Sequence, residues 1–269
     1  METIFKYPRT RHMEGSRKQQ GDKDLKSVPF REIAGRYLVL EEKIDGANCG
    51  ISFGRDKTMY LQSRGHFLNG GYGERQFDLF KRWAGMYQGP LWEILGSRYV
   101  MYGEWMYAKH TVFYDRLPHY FMEFDIFDKE TGRFFSTEKR RELLAGAPFI
   151  CSVLVLDQGQ YQSPEEITRW IGPSHFISEH QRHCLEDQCK KAGVRPDLAL
   201  SQTDLSGIME GIYIKVEEGD YVTDRLKYVR TTFLNTILDS ESHWMNRPLI
   251  PNRLAAHVDL FGAWQKEER

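Results

Sequence analysis

The chain of 269 residues lacks any apolar run approaching the about 18 residues that a membrane-spanning helix needs. Its first nine residues, Met-Glu-Thr-Ile-Phe-Lys-Tyr-Pro-Arg, contain no apolar segment of the kind found in secretory signals. Only four cysteines occur, at positions 49, 151, 184 and 189, too few and too scattered for a disulfide framework in a chain of this size. These absences predict a cytoplasmic protein without a membrane partner.

An excess of charge of one sign is also absent. The 37 Lys and Arg residues are balanced by 38 Asp and Glu residues, so the overall charge does not indicate a nucleic-acid partner. The local distribution is less even, because residues 6–26 carry seven basic and three acidic residues, an excess of four positive charges. Such a segment is typical either of a solvated basic arm or of a contact to phosphates.

Two common kinds of site are not indicated. The glycines at 70, 71 and 73 lack the Gly-Lys-Ser/Thr ending of a Walker loop. The spacing of His180, His183, Cys184 and Cys189 fits no ordinary zinc motif, so we interpret these residues as parts of a helix.

The secondary-structure pattern predicts an α+β fold of antiparallel sheets with flanking helices. Hydrophobic residues make up 41% of the chain, enough for a substantial core. Most predicted strands follow one another through turns, without a regular strand-helix-strand alternation. Strands are predicted at 37–42, 49–53, 59–62, 99–106, 120–127, 133–135, 212–216 and 221–229, and helices at 74–87, 137–146 (capped by Thr137), 164–171 and 178–192.

The segment around Lys43 is the first candidate for chemistry. The apolar run Tyr37-Leu38-Val39-Leu40 is followed by Glu41-Glu42-Lys43 and by an Asp45-Gly46 pair. Asp-Gly predicts a tight hairpin turn, with residues 49–53 as the partner strand. Lys43 is then held at a strand end, as a nucleophilic amine or, because such turn signals are common, as a solvated lysine beside a turn.

Four further segments place a charged group at the end of an apolar strand. Each is weak evidence alone, because Arg-Gly and Gly-Glu pairs usually mark bends. The segments are Ser63-Arg64-Gly65, Tyr102-Gly103-Glu104, Glu210-Gly211-Ile212-Tyr213-Ile214-Lys215 and Arg225-Leu226-Lys227.

In this order the segments resemble the motifs of the covalent nucleotidyltransferases, the superfamily of ATP-dependent ligases and capping enzymes, and most closely those of the RNA ligases. Lys43, Asp45, Gly46 and Asn48 match the Lys-x-Asp/His-Gly-x-Asn motif, and Phe124-Asp125 resembles the aromatic-Asp strand. The resemblance covers roughly residues 37 to 230.

The resemblance implies a ligase adenylation domain, ATP-grasp-like in fold, without an oligonucleotide-binding (OB) barrel. We expect this adenylyltransferase domain over 1–232, with a basic leader at 1–30, and a short helical tail over 233–269. The tail is too short for the barrel that DNA ligases and capping enzymes carry, which predicts a minimal form.

The resemblance also implies the chemistry. Lys43 attacks the α-phosphate of ATP and becomes adenylated, and Glu210 holds Mg²⁺ or Mn²⁺. Since an ordinary lysine is protonated at neutral pH, burial and neighbouring cations are expected to lower the pKa of Lys43. The resemblance implies Lys227, with Arg225 or Lys215, at the α-phosphate. The other nucleotide-binding residues implied are Glu104 and Arg64 at the ribose and neighbouring phosphate, Phe124 at the adenine, Asn48 at the nucleotide or nick end, and Glu42 and Asp45 beside Lys43.

Two parts of the implied site stay open. The last motif has Arg225 where lysine is usual, which leaves Lys215, Arg225 and Arg230 as alternatives for completing the phosphate clamp, with a charged hairpin face as the further alternative. In the leader, Tyr7 is a candidate for the adenine pocket, and Arg11 or His12 for a terminal phosphate; a packing strap is the alternative.

The sequence therefore predicts an ATP-dependent RNA ligase that joins 3′-hydroxyl and 5′-phosphate ends of nicked or broken RNA in RNA repair, with an end-healing kinase or phosphatase as a candidate partner. The alternatives are a DNA ligase, a capping-type guanylyltransferase and an inactive nucleotide- or RNA-binding module. The intact Lys43, Glu104, Glu210 and Lys227 favour an active enzyme over the last of these.

Overall fold

A computed structural model describes residues 3–18, 22, 24–233 and 249–262. Its strands are β1 Arg11–Met13, β2 Ser27–Val28, β3 Tyr37–Lys43, β4 Ala47–Phe53, β5 Met59–Ser63, β6 Tyr99–Trp105, β7 Phe121–Asp128, β8 Arg133–Phe135, β9 Cys151–Ser152, β10 Val155–Gln160, β11 Gly211–Glu218 and β12 Tyr221–Val229. Its α-helices are α1 Asp78–Met86, α2 Gln88–Leu95, α3 Thr137–Leu144, α4 Pro164–Thr168, α5 Gln181–Ala192 and α6 Pro196–Ser201. Short 3₁₀ helices cover Phe30–Glu32 and Tyr72–Phe77.

The strands form one mostly antiparallel sheet with two halves that meet at β8. The path runs β10-β3-β11-β12-β8-β7-β6-β4-β5, and the three-residue strand β8 joins β12 to β7. The short strand β1 pairs in parallel with β12, and β9 pairs in parallel with β7. The predicted α+β class with antiparallel pairing is therefore confirmed.

The predicted hairpin between residues 37–42 and 49–53 is wrong. Strand β3 pairs with β10 and β11, whereas β4 pairs with β5 and β6. Residues 44–46 are instead a crossing from one half of the sheet to the other. The Asp45 carboxylate accepts hydrogen bonds from the backbone N–H groups of Thr111 (2.7 Å) and Val112 (3.0 Å), so a distant loop holds the Asp-Gly pair.

Gly46 makes this crossing possible. A Cβ atom at this position would lie 2.7 Å from Sδ of Met106 and 2.8 Å from the carbonyl oxygen of Trp105. The chain therefore passes tightly over the end of β6, and only glycine leaves room for that contact.

Each half of the sheet has its own apolar core. The β4-β6-β7 half packs against α1 through large aromatic residues, among them Phe80, Trp83, Trp105 and Phe121. The β3-β11-β12 half is filled by smaller aliphatic residues, with Leu38, Leu40, Ile212, Ile214 and Leu226 among them.

The predicted helices are confirmed with shifted bounds. The stretch 74–87 begins as the 3₁₀ helix and continues as α1, and the helix predicted over 178–192 begins at Gln181. Ser136, not Thr137, caps α3, because its side chain accepts from the N–H of Lys139. Gly193 ends α5 with a φ of +67°, the left-handed conformation that favours glycine.

The helical tail expected over 233–269 falls largely on residues 234–248 and 263–269, outside the described residues. The described part, 249–262, forms turns and isolated bridges that pair Ala108 with Pro251 and Leu117 with Leu254. Nowhere in the described ranges is a helix both long and apolar enough to cross a bilayer.

Candidate active site

Two adjoining cavities open between the halves of the sheet. The larger has a volume of about 1570 Å³ and the smaller about 150 Å³. Both are lined by the same five side chains, Lys43, Asn48, Arg64, Glu104 and Lys227. All five were predicted site residues, and the fold brings them together from β3, β4, β6, β12 and the turn after β5.

Lys43 forms an ion pair with Glu210. Its Nζ lies 2.6 Å from Oε2 of Glu210, and the lysine side chain is 20% exposed whereas the glutamate is fully buried. The sheet register sets this contact, because Lys43 ends β3 directly opposite Gly211, the first residue of β11. Gly211 has no alternative, since a Cβ there would lie 1.9 Å from the carbonyl oxygen of Tyr228.

The Lys43 pKa is raised in this state. Burial by itself would lower it, but the negative charge and hydrogen bond of Glu210 outweigh burial. The sequence-based expectation of a lowered pKa for Lys43 is therefore wrong. Lys43 is held as an ammonium group until its counter-ion changes.

Glu104 faces Lys43 from the other half of the sheet. Its Oε1 accepts a hydrogen bond from the N–H of Gly46 at 3.2 Å, and Asn48 is its partner across the β4–β6 pair. Burial is the main reason that its pKa rises to about 7; the Lys43 charge opposes this rise and the nearby Asp45 charge adds to it. Glu104 therefore titrates near neutral pH.

Lys227 is the second cation at the junction of the cavities. It lies on β12 and donates a hydrogen bond to the carboxylate of Asp22 in the N-terminal arm. Burial and the charge of Lys43 lower the pKa of Lys227. The two lysines are thus close enough for the charge of one to lower the pKa of the other, and both lie in the shared wall of the two cavities.

The small cavity is lined by aromatic and apolar groups. Phe124, Tyr213, Tyr7, Ile44 and Val153 contribute to its wall. Tyr7 is fixed by its hydroxyl, which donates to Asp125 at 2.5 Å and lies 2.7 Å from the hydroxyl of Tyr213. The size and lining suit a planar heterocycle, and the leader contributes directly to this wall.

Glu42 also lines the small cavity, but its carboxylate is already engaged. It accepts hydrogen bonds from the hydroxyl of Ser174 at 2.5 Å and from the backbone N–H of His175 at 3.2 Å. A loop after α4 thereby holds the acid that precedes Lys43.

Lys215 and Arg225 lie behind the cavity walls. Lys215 is fully buried; it donates to the carbonyl oxygen of Phe124 and lies 3.0 Å from Glu41 and 3.3 Å from Asp125. Arg225 lies 3.4 Å from Asp125, with its guanidinium 4.0 Å from the centre of the Phe134 ring. Neither Lys215 nor Arg225 lines either of the two cavities.

The other candidate cations have separate partners. Arg230 pairs with Asp204 at 2.5 Å, and Arg11 pairs with Asp224 at 2.7 Å, both away from the cavities. His12 is buried, with its Nε2 atom 3.2 Å from Asp22, so it acts on the site only through that carboxylate.

The sequence matches the model of a known protein family. A family model described as RNA ligase matches residues 36–229, nearly three-quarters of the chain. The chain belongs to the RNA ligase family. No curated protein matches it.

Solved structures of Naegleria gruberi RNA ligase are similar to this RNA ligase family member in fold. A variant without ligand has a TM-score of 0.52 and 15% sequence identity, covering 89% of this chain and 61% of that one. A variant with ATP and Mn gives a TM-score of 0.48 at 14% identity, covering 85% and 56%. The chain thus spans less than two-thirds of the length of the structures it matches.

The carboxylates near Lys43 have the chemistry of a hard-cation site. Within the described ranges, no three His, Cys, Asp or Glu side chains converge closely enough to hold a metal ion by themselves. Glu104 and Asp45 line the larger cavity, whereas Glu210 is covered by Lys43. These carboxylate oxygens suit Mg²⁺ or Mn²⁺, because such an ion usually keeps several water ligands and takes further oxygen ligands from a phosphate.

Three residues of the site had no role in the sequence analysis. Asp22 lies in the N-terminal arm and Gln76 in the 3₁₀ helix Tyr72–Phe77, and neither has a local sequence signal that places it in the site. Tyr213 could have been found, because strand alternation places it on the same face of β11 as Lys215.

Proposed function

We propose that this chain is an ATP-dependent RNA ligase that forms a lysyl-AMP intermediate on Lys43. The observation that carries the proposal is the position of Lys43 and Lys227 in the wall shared by a small aromatic cavity and a large, cation-rich cleft. The small cavity takes the adenine, the shared wall takes the α-phosphate, and the cleft takes the polynucleotide.

In the first step, Nζ of Lys43 attacks the α-phosphorus of ATP. The N–P bond forms as the bond to the bridging oxygen breaks, and pyrophosphate leaves with the electron pair. Lys43 must lose a proton first. Burial lowers the pKa of Lys43, whereas the ion pair with Glu210 raises it. The pKa of Lys43 therefore falls only when Glu210 is no longer its counter-ion.

The divalent cation would be Mg²⁺ or Mn²⁺, and the residues that would hold it are Glu104 and Asp45 at the cavity wall, with Glu210 beside Lys43. When bound, the cation supplies neutralisation of phosphate charge. Lys227 contributes the same kind of neutralisation from the protein itself, and Phe124 and Tyr213 orient the base.

Lys215 and Arg225 are positioning residues in this proposal. They neutralise Glu41, which lines the small cavity, and Asp125, which lies behind it; Lys215 holds the carbonyl oxygen of Phe124, and Asp125 holds the hydroxyl of Tyr7. Arg64 is the remaining predicted cation on the cavity wall, and it is the one that we assign to the ribose and the neighbouring phosphate.

The large cleft fits an RNA end. Its wall includes Arg9, Arg75, Arg82, Lys109 and Lys191, which can contact a phosphate backbone. AMP passes from Lys43 to the 5′-phosphate of RNA, and a 3′-hydroxyl then displaces AMP to seal the strand. The substrate is a nick or a broken end, and the role is RNA repair in the cytoplasm. Because the ends must carry a 5′-phosphate and a 3′-hydroxyl, a kinase or phosphatase that prepares them is the expected partner.

The test is strand sealing by the full chain with ATP and Mg²⁺ or Mn²⁺. Nicked duplexes carry either RNA or DNA on the 3′-hydroxyl side, and product is measured on a denaturing gel. We expect faster sealing of the RNA nick and no sealing by Lys43→Met. Equal sealing of both duplexes would contradict the proposed preference for RNA. Labelling of the protein by GTP instead of ATP would indicate a capping-type enzyme.

A further inference from the structure

Asp22 in the N-terminal arm contacts the lysine that we place at the phosphate. Its carboxylate accepts a hydrogen bond from Nζ of Lys227, and its Oδ2 atom also lies 3.2 Å from Nε2 of His12. Its Oδ1 atom lies 3.4 Å from the guanidinium of Arg9. Asp22 is only 8% exposed. Because several nitrogen groups hold this buried carboxylate, it can in turn fix the side chain of Lys227.

The N-terminal arm is fastened to the strand that carries Lys227. Strand β1 pairs in parallel with β12 and places His12 opposite Lys227, so both side chains meet the same carboxylate. Nδ1 of His12 lies 2.7 Å from Oγ of Ser16, and this oxygen accepts a hydrogen bond from the N–H of Val229 at 2.9 Å. The contacts therefore run from β12 through the arm to Asp22 and back to β12.

The charges of Asp22 and Lys227 support each other. Burial acts to raise the pKa of Asp22, but the hydrogen bonds from His12 and Lys227 outweigh burial and hold this pKa well below its usual range. Burial and the charge of Lys43 lower the pKa of Lys227, whereas Asp22 raises it. Asp22 therefore favours the charged form of Lys227, which is the form that attracts a phosphate.

The two cavities separate Asp22 from the base of the nucleotide. Lys227 lines both cavities, whereas Asp22 lines only the larger one. The carboxylate thus stays outside the small cavity that we assign to the adenine, and Arg9 offsets its charge together with Lys227. Since an ammonium group has three donors, Lys227 can keep its bond to Asp22 and still donate to a phosphate oxygen.

We propose that Asp22 is a positioning residue for Lys227 and holds its ammonium group at the junction of the two cavities for contact with the α-phosphate of ATP. The N-terminal arm then completes the adenylation site, although it lies outside residues 36–229 that match the RNA ligase family model. This inference rests on the proposed function, because it assumes that Lys227 contacts the phosphate.

The experiment is a double-mutant cycle on the full chain, with adenylation followed by intact mass in single turnovers. It compares wild type, Asp22→Ala, Lys227→Met and the double variant. We expect Asp22→Ala to slow adenylation between about 10-fold and 100-fold, because a small misplacement of a catalytic group can have an effect of this size. In the Lys227→Met protein, Asp22→Ala should cause no further slowing, because Asp22 acts through Lys227.

The matched control is Asp24→Ala, which changes an acid of the same arm that pairs with Arg9 at 2.7 Å at the surface. It should adenylate like wild type. Urea titration gives the folded fraction of every variant, and rates are compared per folded protein. If Asp22→Ala does not fold, Asp22→Asn, which keeps one oxygen acceptor, takes its place in the cycle with a smaller expected slowing.

An Asp22 variant that adenylates at the wild-type rate or faster would overturn the inference. The same holds if the substitution slows the Lys227→Met protein as much as it slows wild type, because Asp22 would then act independently of Lys227.

Two results separate this inference from the proposed function. If wild type gains AMP but the cycle shows no coupling between Asp22 and Lys227, only the role of Asp22 is wrong. If wild type gains no AMP, the proposed function fails, and calorimetric titration with ATP decides the inference in the same variants. Weaker ATP binding by the Asp22 variant that depends on the presence of Lys227 supports it; equal binding by wild type and the variant, or no binding by either, overturns it.

Discussion

Nζ of Lys43 lies 2.6 Å from Oε2 of Glu210, although 167 positions separate the two residues in the sequence. Pairing of β3 with β11 brings them together, with Lys43 in the cavity wall and Glu210 buried behind it. The pair holds the proposed nucleophile as a buried ammonium group. The proposed adenylation of Lys43 therefore depends on separating this lysine from Glu210.

The first prediction concerns Lys215. Lys215→Met leaves Glu41 and Asp125 without one of their counter-ions in a fully buried site. Breaking a buried ion pair costs about 3–5 kcal/mol, so we expect a loss of that order in the free energy of unfolding measured with urea. Unchanged stability together with lost adenylation would contradict this account and indicate that Lys215 reaches the phosphate.

The second prediction concerns Lys227, whose partner Asp22 also has His12 and Arg9 as neighbours. Lys227→Met should slow adenylation by about 100-fold or more, the usual effect of removing one charge-stabilising donor at a reacting phosphate. The free energy of unfolding should change by no more than about 1 kcal/mol, because Asp22 keeps its other partners.

Lys139→Met is the control for that experiment, since Lys139 pairs with Asp220 at the surface far from the cavities. It should adenylate like wild type. If both variants adenylate at the wild-type rate, Lys227 does not contact the phosphate.

The third prediction is a pH dependence from Glu104. Its pKa is about 7 in the folded protein, above its ordinary value of 4.5, mainly because of burial. The folded state binds the proton more tightly, so stability from this group is full below pH 4.5 and is lost as pH rises through 7. The loss is up to about 3 kcal/mol.

Glu104→Gln removes this loss. Urea titrations at pH 5 and pH 8 should show the variant gaining stability relative to wild type at the higher pH. Glu138→Gln, which changes an exposed glutamate of α3, should show no such difference between the two pH values. A constant offset for Glu104→Gln would mean that Glu104 is ionised at both pH values in the folded protein.

The residues of the candidate site that lie at the ends of apolar strands could be predicted from the sequence. Lys43, Glu104 and Lys227 each follow or end an apolar strand in a recognisable order, and the sheet brings them into one cavity wall. The hairpin prediction failed because Asp45-Gly46 is a local signal, whereas the pairing of β3 with β11 is decided by residues that lie far apart in the sequence.

How deeply each charged side chain is buried could not be predicted from the sequence. Lys215, Arg225 and Lys227 have similar local sequences, yet only Lys227 reaches the cavities. The difference comes from Glu41 and Asp125, acids on other strands that hold Lys215 and Arg225 behind the wall. Gln76 shows the same limit, since only the folded structure reveals that its amide has no partner among the described residues.

The most direct test of the central claim is the intact mass of the protein after incubation with ATP and Mg²⁺ or Mn²⁺, followed by peptide mapping. Wild type should gain the mass of one AMP, located on Lys43, and Lys43→Ala should gain none. A wild-type protein that gains no AMP, or a Lys43→Ala variant that gains as much as wild type, would contradict the account.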